Sequence, residues 1–362
     1  MKTFFSAYTC KGNVGDILIN KLQIEEYARY GEVYVDCTGM PAEFYDIIFD
    51  TANPNIKDFV KTYGINYRGK NILRVLRPLK KEGFTHFTKS PGPYAYLKLP
   101  LKTFVKRLAG AFGYWMARRE GMKVIALGID LDFSGKNKWL RSLNWKYFSV
   151  YHLLGLRSRW NDKLLSDRLS NTQYVPDMAF LYPMPTDMPS LSDRKRVALS
   201  FRKGDDADVL VGKLKMVCGK LRDLHFDIDI VYQVKEDEDF SATLAQALKE
   251  YDVHLCQQMI EYGQLNTYSQ YAYVISNRLH VCLMGAMHGA IPVAIISHNR
   301  KEQKVGRIFD SAFSVKLWWH QEEPTESLLE RIVNDRRTIA RTLTQNIQKQ
   351  KHLCEKAFQE IR

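Results

Sequence analysis

The chain predicts an α/β fold of two Rossmann-like domains facing a central cleft, each a parallel sheet with helices packed on it. Apolar runs of strand length alternate with helical patterns from the first residue, a Pro-punctuated stretch interrupts them near the middle, and the alternation then restarts. A length of 362 residues suits two domains of ordinary size.

Taken in order, residues 3–8, 32–36, 84–89, 123–128 and 174–175 read as the strands of a first domain over 1–182. Residues 183–196 hold Pro183, Pro185, Pro189 and the charged run Asp193-Arg194-Lys195-Arg196, and read as a linker. A second domain over 197–322 has strand candidates at 197–201, 226–232, 254–256, 273–276 and 291–296. A polar helical tail over 323–362 carries an apolar stripe at Leu328, Leu329, Ile332 and Val333. Ligands of such folds bind at the carboxyl ends of the strands.

The formal charge is +13, with 53 Lys+Arg against 40 Asp+Glu. It is concentrated: residues 61–160 hold 21 Lys+Arg and only Glu82, Glu120, Asp130 and Asp132, a local +17. Such a field points to a polyanionic partner: nucleic acid, an anionic lipid surface or a phosphorylated substrate. Six widely spaced cysteines without a CxxC pair or Cys/His ligand spacing argue against a zinc site or disulfide framework. The start lacks the length and cleavage pattern of a signal peptide, and no run approaches the roughly 18 to 20 apolar residues of a spanning helix. The expectation is an intracellular protein, soluble or peripheral to a membrane.

Three segments could carry chemistry. Gly12-Asn13-Val14-Gly15-Asp16 lies at a strand-to-helix turn, where two glycines permit a tight bend and helix-start amides can face an anion. It lacks the GKS or GKT of a Walker loop, and a plain βα turn explains it equally well. Ser200-Phe201-Arg202 follows the first strand of the second domain and puts a guanidinium at its cleft-facing end, to clamp a carboxylate or phosphate or to pair with Asp205 or Asp206. The most informative segment is Ser276-Asn277-Arg278-Leu279-His280, between a strand and a compact helix ended by Gly289. Arg278 and His280 sit there at the positive end of the helix, where a cation and an imidazole can meet an anionic ligand.

Other candidates are weaker. His280 and His288 share a helix face but stand about 12 Å apart, too far for one metal ion, so His288 reads as structural. Asp130-Leu131-Asp132 could mimic a metal-binding DxD, though such triplets are common by chance, and Asp227 and Asp229 should share one solvated strand face. HExxH and GxSxG are absent, so zinc-protease and serine-hydrolase chemistry have no support.

Gly12-Asn13-x-Gly15-Asp16, Gly155-Leu156-Arg157-Ser158-Arg159, Pro176-Asp177-x-Ala179-Phe180, Ser200-x-Arg202 and Ser276-x-Arg278-Leu279-His280 with Gly289-x-x-Pro292 occur in the order seen in polysaccharide pyruvyl transferases. The chain resembles that family over nearly its whole length. The resemblance implies a GT-B-like fold and transfer of pyruvate from phosphoenolpyruvate to a sugar of a surface polysaccharide or its lipid-linked precursor, giving a cyclic ketal. By the same resemblance Arg202, Arg278 and His280 hold the donor and assist proton transfer, with Gly12, Asn13, Gly15, Asp16, Ser276 and Leu279 as substrate-binding positions. It implies no cofactor, no metal and no nucleic-acid partner. The chain departs from the family at Ser90-Pro91-Gly92-Pro93-Tyr94, where a Gly-rich turn is usual, and at Ser297-His298-Asn299-Arg300-Lys301, where a Tyr-x-x-Lys-like segment is common.

The residues fit that chemistry, because phosphoenolpyruvate offers a carboxylate and a phosphate and needs two cationic or amide-rich grips. The basic segment 94–119, extended by Lys136, Lys138, Trp139, Arg141, Trp145 and Lys146, suits an anionic membrane and a pyrophosphate-linked lipid acceptor, or equally a helix with its apolar face in the core. The expected location is cytoplasmic, at the inner face of the membrane. A glycosyltransferase of the same fold using a nucleotide sugar is the alternative, and a non-catalytic basic binding protein the third reading.

Overall fold

A computed structural model describes residues 1–9, 12–67, 72–95, 101–132, 138–204, 206–324 and 326–362. Residues 96–100 and Lys136 of the basic segment, and Asp205, lie outside them. The chain forms two compact units, one of residues 1–11, 16–181 and 351–362, the other of residues 12–15 and 182–350.

The first unit runs β1 (Lys2–Ser6), α1 (Val14–Ala28), β2 (Glu32–Asp36), α2 (Ala42–Phe49), β3 (Ile56–Asp58), α3 (Phe59–Tyr63), α4 (Leu73–Lys81), β4 (His86–Lys89), β5 (Gly92–Ala95), α5 (Leu101–Arg119), β6 (Lys123–Asp132), α6 (Lys138–Ser149), β7 (Leu153–Leu156), α7 (Arg159–Ser166) and β8 (Thr172–Tyr174). Its sheet has the order β3-β2-β1-β4-β6-β7-β8, with β5 paired to β6, and every pairing is parallel. The four residues after the first in both β1 and β2 are buried, as expected for parallel strands covered on both faces. Aromatic rings fill the core: Phe4 packs on Phe59 and Phe87 at 4.7 and 5.2 Å between centroids, and Tyr114 on Phe87 at 5.4 Å.

The second unit runs β9 (Arg196–Ser200), α8 (Ala207–Asp223), β10 (Asp227–Ile230), α9 (Glu238–Ala247), β11 (Val253–Leu255), β12 (Tyr271–Ser276), α10 (Leu279–Met287), β13 (Ile291–Ile296), α11 (Arg300–Ala312), β14 (Trp318–His320), α12 (Glu326–Asn334) and α13 (Arg336–Ile361). Its parallel sheet has the order β11-β10-β9-β12-β13-β14. Every residue of β12 and β13 is buried, which is why both read as continuous apolar runs.

Four strands escape the sequence reading: β3 and β14 have only three residues each, β5 contains Gly92 and Pro93, and β7 is a Leu-Leu-Gly-Leu run without β-branched residues. The stretch read as a linker packs with the second unit. Arg194 is buried there and donates to the carbonyls of Pro189, Tyr271 and His288. The helical tail divides, because Cys354, Ala357, Phe358 and Ile361 near the end of α13 are buried with the first unit, Phe358 edge-on to Tyr27 at 4.8 Å. In β10 only Asp227 is exposed. Asp229 is buried instead of solvated, because Arg196 of the adjacent strand reaches it at 2.7 Å.

Candidate active site

In the second unit the strand order reverses between β9 and β12, and the chain leaves the carboxyl ends of those neighbours through Arg202 and Arg278. Asn277 ties the two exits together. Its Oδ1 accepts the Arg202 amide at 2.9 Å, and its Nδ2 donates to the Arg202 carbonyl and to Glu302 Oε1, both at 3.1 Å. Ser276 works one step below: its hydroxyl donates to the Ser200 carbonyl across the strand pair and accepts the Arg278 amide at 2.9 Å.

Each arginine has a buried carboxylate for a neighbour. Arg278 grips Asp237 with two bonds, Nε to Oδ2 at 2.8 Å and Nη2 to Oδ1 at 2.5 Å. Burial raises the Asp237 pKa above the ordinary aspartate value, and the Arg278 pair opposes that rise. Arg202 is held more loosely, with Nε 3.6 Å from Glu302 Oε1. Burial first, and then the like charge of Arg278, push the Arg202 guanidinium below its ordinary range. Glu302 is itself fixed by the Ser297 amide at 2.7 Å and by the Asn299 cap of α11. The two guanidiniums, each 19% exposed, thus stand close enough to repel one another, and an anion between them relieves that repulsion.

Helix α10 starts at Leu279, which is buried, with Arg278 as its N-cap. An arginine side chain has no acceptor, so the first-turn amides receive no side-chain cap. His280 is the second residue of the helix and is partly exposed.

The segment Gly12–Gly15 counts with this unit. Asn13 bridges antiparallel to Val234, the Lys235 amide donates to the Gly12 carbonyl at 3.1 Å, and the Val14 amide donates to the Gln233 carbonyl at 3.4 Å. The Val14 amide is therefore spent on the chain, whereas the sequence had suggested helix-start amides facing an anion. Gly12 has φ +66°, and a Cβ on Gly15 would lie 2.5 Å from His280 Nδ1 and 2.7 Å from its Cβ. The first glycine serves the turn and the second makes room for the imidazole. Asp16 falls in the first turn of α1 and belongs to the first unit, where its carbonyl accepts from Asn20 at 2.8 Å.

Arg202, Ser276, Arg278 and His280 come together as the sequence suggested, while Asp237, Glu302 and Asn277 were missed. Their signals were slight: Asp237 sits in the acidic run Glu236-Asp237-Glu238-Asp239 just after β10, and Asn277 lies inside the motif itself. His288 is fully buried with Nδ1 2.8 Å from the Met284 carbonyl, a structural role. Asp130 is bonded by Asn161. In the first unit, two of the motifs meet as a buried ion pair, Arg157 Nη1 to Asp177 Oδ2 at 2.9 Å.

Two groups among the described residues bring three potential metal ligands within 4.8 Å of one another: Asp229, His254 and Cys256, and His298, His320 and Glu322. Arg196 on Asp229 opposes a cation at the first, and neither group contains a site residue named above.

Solved structures share the fold. The Anabaena protein HepE in complex with UDP aligns with TM-score 0.60 and 11% identity over 100% of this chain and 99% of its own. The UDP-GlcNAc 2-epimerase of Neisseria meningitidis bound to UDP-GlcNAc aligns with TM-score 0.59 and 11% identity over 99% of each chain. The Staphylococcus aureus MnaA–UDP structure aligns with TM-score 0.54 and 9% identity, covering 94% of this chain and 91% of that one. These likenesses establish a GT-B-like fold of two parallel α/β units. No curated protein matches the sequence. The profile of the family described as polysaccharide pyruvyl transferase matches residues 13–300, which reach into both units and cover the motifs on which the resemblance rests, save Gly12 at the start of the first. The chain therefore belongs to the polysaccharide pyruvyl transferase family and is an enzyme of the transferase class.

Proposed function

We propose that this enzyme moves pyruvate from phosphoenolpyruvate to a sugar of a lipid-linked surface-polysaccharide precursor, closing a cyclic ketal and releasing phosphate. The observation that carries the reading is the paired guanidiniums of Arg202 and Arg278 beside the uncapped start of α10, with His280 on its first turn. Arg202 takes one anionic group of the donor and the open edge of Arg278 the other, while Asp237 holds Arg278 in a fixed plane.

His280 is the proton carrier, its imidazole nitrogens being able both to accept and to donate a proton. A proton added to the methylene carbon of the donor makes the adjacent carbon electrophilic, and a first sugar hydroxyl adds there and loses its proton. The carbon–oxygen bond to phosphate then breaks, and a second hydroxyl captures the resulting cation and closes the ring. The balance is one donor and one diol in, one ketal and one phosphate out. Ser276 and Asn277 position the two arginines, Leu279 anchors the helix start, and Gly12, Asn13 and Gly15 seat the imidazole.

A membrane location suits this acceptor. No helix among the described residues is long and apolar enough to span a bilayer. Helix α5, however, exposes Val105, Leu108, Phe112 and Trp115 at a spacing of three and four, with Arg118 and Arg119 at its end. Its opposite face, Gly110, Tyr114 and Ala117, is the buried one.

The test is acceptor-dependent phosphate release from phosphoenolpyruvate, with the ketal identified by product mass. His280→Ala and Arg202→Met should each lower kcat/KM by about 10²-fold or more. Undiminished turnover in His280→Ala overturns the mechanism. Binding of a nucleotide sugar, with no phosphoenolpyruvate-dependent phosphate release, overturns the reaction in favour of glycosyl transfer.

A further inference from the structure

The sheet of the second unit ends on the neighbours β13 and β14, and the chain leaves the carboxyl ends of that pair through two histidines and a glutamate. Ile296, the last residue of β13, is in register with His320, the last of β14, and the Gln321 amide donates to the Ile296 carbonyl at 3.0 Å. His298 follows just beyond Ile296, and Glu322 just beyond His320. Neighbouring strands run about 4.8 Å apart, so side chains leaving the two ends can reach one point. They do: His298, His320 and Glu322 each offer one ligand atom, and the three atoms lie within 4.8 Å of one another.

The rings of His298 and His320 lie face to face, 4.0 Å between centroids and 24° between planes. His298 Nε2 stands 3.6 Å from Glu322 Oε2, and among the described residues no lysine or arginine pairs with that carboxylate. Nδ1 of His320 is buried, and the described residues offer it no hydrogen bond. A buried ring nitrogen in that state calls for a partner from outside the chain. The backbone beneath the cluster is already fixed. Ser297 and Asn299, on either side of His298, are both bonded to Glu302, and the His320 amide donates to Glu323 Oε1 at 3.1 Å. The side chains of His298 and Glu322, 69% and 45% exposed, can still turn toward a ligand. The group of Asp229, His254 and Cys256 differs, because Arg196 already holds its carboxylate at 2.7 Å.

We infer that His298, His320 and Glu322 form a binding site for a divalent transition-metal ion of the zinc class, which clasps the ends of β13 and β14 together. Zinc takes imidazole nitrogen and carboxylate oxygen at about 2.0 to 2.2 Å, which sets tetrahedral ligand atoms about 3.3 Å apart. The pair His298 Nε2 and Glu322 Oε2, at 3.6 Å, is already near that separation. Two imidazoles select zinc and its neighbours over magnesium and calcium, which prefer oxygen ligands. The three side chains leave a fourth position for water. None of the three belongs to the proposed donor machinery, so the site stands whatever reaction the enzyme performs.

The experiment is calorimetric titration of the chelator-treated full chain with zinc chloride, and separately with magnesium chloride and calcium chloride. Zinc should bind about tenfold more tightly than either of the other ions, or better. His298→Ala, which removes a mostly exposed side chain, should weaken zinc binding by about tenfold or more, and Glu322→Gln should weaken it as well. His254→Ala, in the other cluster, should leave it unchanged. An ion bound by the folded chain alone raises its melting temperature, so zinc should raise the Tm of the wild type and not that of His298→Ala. The inference is overturned if zinc does not bind, if His298→Ala binds and responds to it as the wild type does, or if magnesium binds as tightly. Loss of zinc binding in His254→Ala and not in His298→Ala would overturn it too, by assigning the ion to the other cluster.

Discussion

Gly15→Ala is the most revealing single change, because it reaches His280 without altering any titratable group. The added methyl would sit 2.5 Å from His280 Nδ1, 2.7 Å from Cβ and 2.8 Å from Cγ. Ordinary carbon contacts lie near 3.5 Å, so the imidazole must move by about 1 Å. The backbone of Gly15 is restrained, since the Val14 amide and the Asn13 bridge tie this segment to Gln233 and Val234 in the loop after β10. A shift of about 1 Å in a proton-transfer group costs on the order of 10²-fold in rate, and overpacking costs about 1 to 3 kcal/mol in stability. Phosphate release measured at saturating phosphoenolpyruvate should therefore fall by roughly two orders of magnitude in kcat, with a much smaller change in donor KM. Wild-type kcat in a folded Gly15→Ala protein would refute the reasoning, since it would mean that the position of His280 does not matter. A large rise in donor KM at unchanged kcat would assign the Gly12–Gly15 segment to donor binding instead.

The remaining predictions concern stability and location. His86 is buried with Nε2 2.8 Å from the Ile361 carbonyl, and burial lowers its pKa from 6.5 to about 4. The unfolded chain therefore binds more protons across that window, so the stabilisation is complete above pH 6.5 and is lost as pH falls toward 4. The loss is at most about 3 kcal/mol, and a thermal-melt series should show a shallower acid slope in His86→Gln; equal slopes would refute it. Arg157→Met removes the 2.9 Å cationic partner of Asp177, which is 1% exposed and keeps the Ala179 amide at 3.0 Å. It should lose about 3 to 5 kcal/mol in urea denaturation, and a loss below about 1 kcal/mol would exclude a structural role for that motif. The double variant Phe112→Ser, Trp115→Ser removes two exposed rings that each stand to gain about 1.5 to 3 kcal/mol on burial. Its binding to phosphatidylglycerol vesicles in a sedimentation assay should fall at least tenfold, and unchanged binding would free α5 from the membrane role.

What could be read from the sequence follows from which physics is local. Buried parallel strands announce themselves as continuous apolar runs, so β12 and β13 were legible, as were Arg202 and Arg278, because residues just beyond such strands sit at the sheet's carboxyl edge. The carboxylates that hold those arginines were not legible. Asp237 lies 41 residues from Arg278, and nothing in an acidic run says which member will be buried. Gly15 illustrates a different limit: the pattern Gly-x-x-Gly was visible, but its reason is the imidazole of His280, a close approach that only the folded chain creates.

Arg202, Arg278, Asp237 and Glu302 sum to no formal charge, so a donor there meets two individual guanidiniums and a helix start and not a broad positive field. Affinity must come from geometry and from exchange of partners. Arg278 has already surrendered two donors to Asp237 at 2.8 and 2.5 Å, which freezes its plane before the ligand arrives and spares the ordering cost at binding. Arg202, whose Nε stands 3.6 Å from Glu302, is the guanidinium that can swing from that carboxylate to an incoming anion. It follows that Arg278→Lys, which keeps the charge but loses the planar fork, should damage the site more than Arg202→Lys does. Donor KM for the two lysine variants decides the point: a larger increase for Arg202→Lys would mean that the mobile arginine supplies the geometry and that the Asp237 pair is only packing.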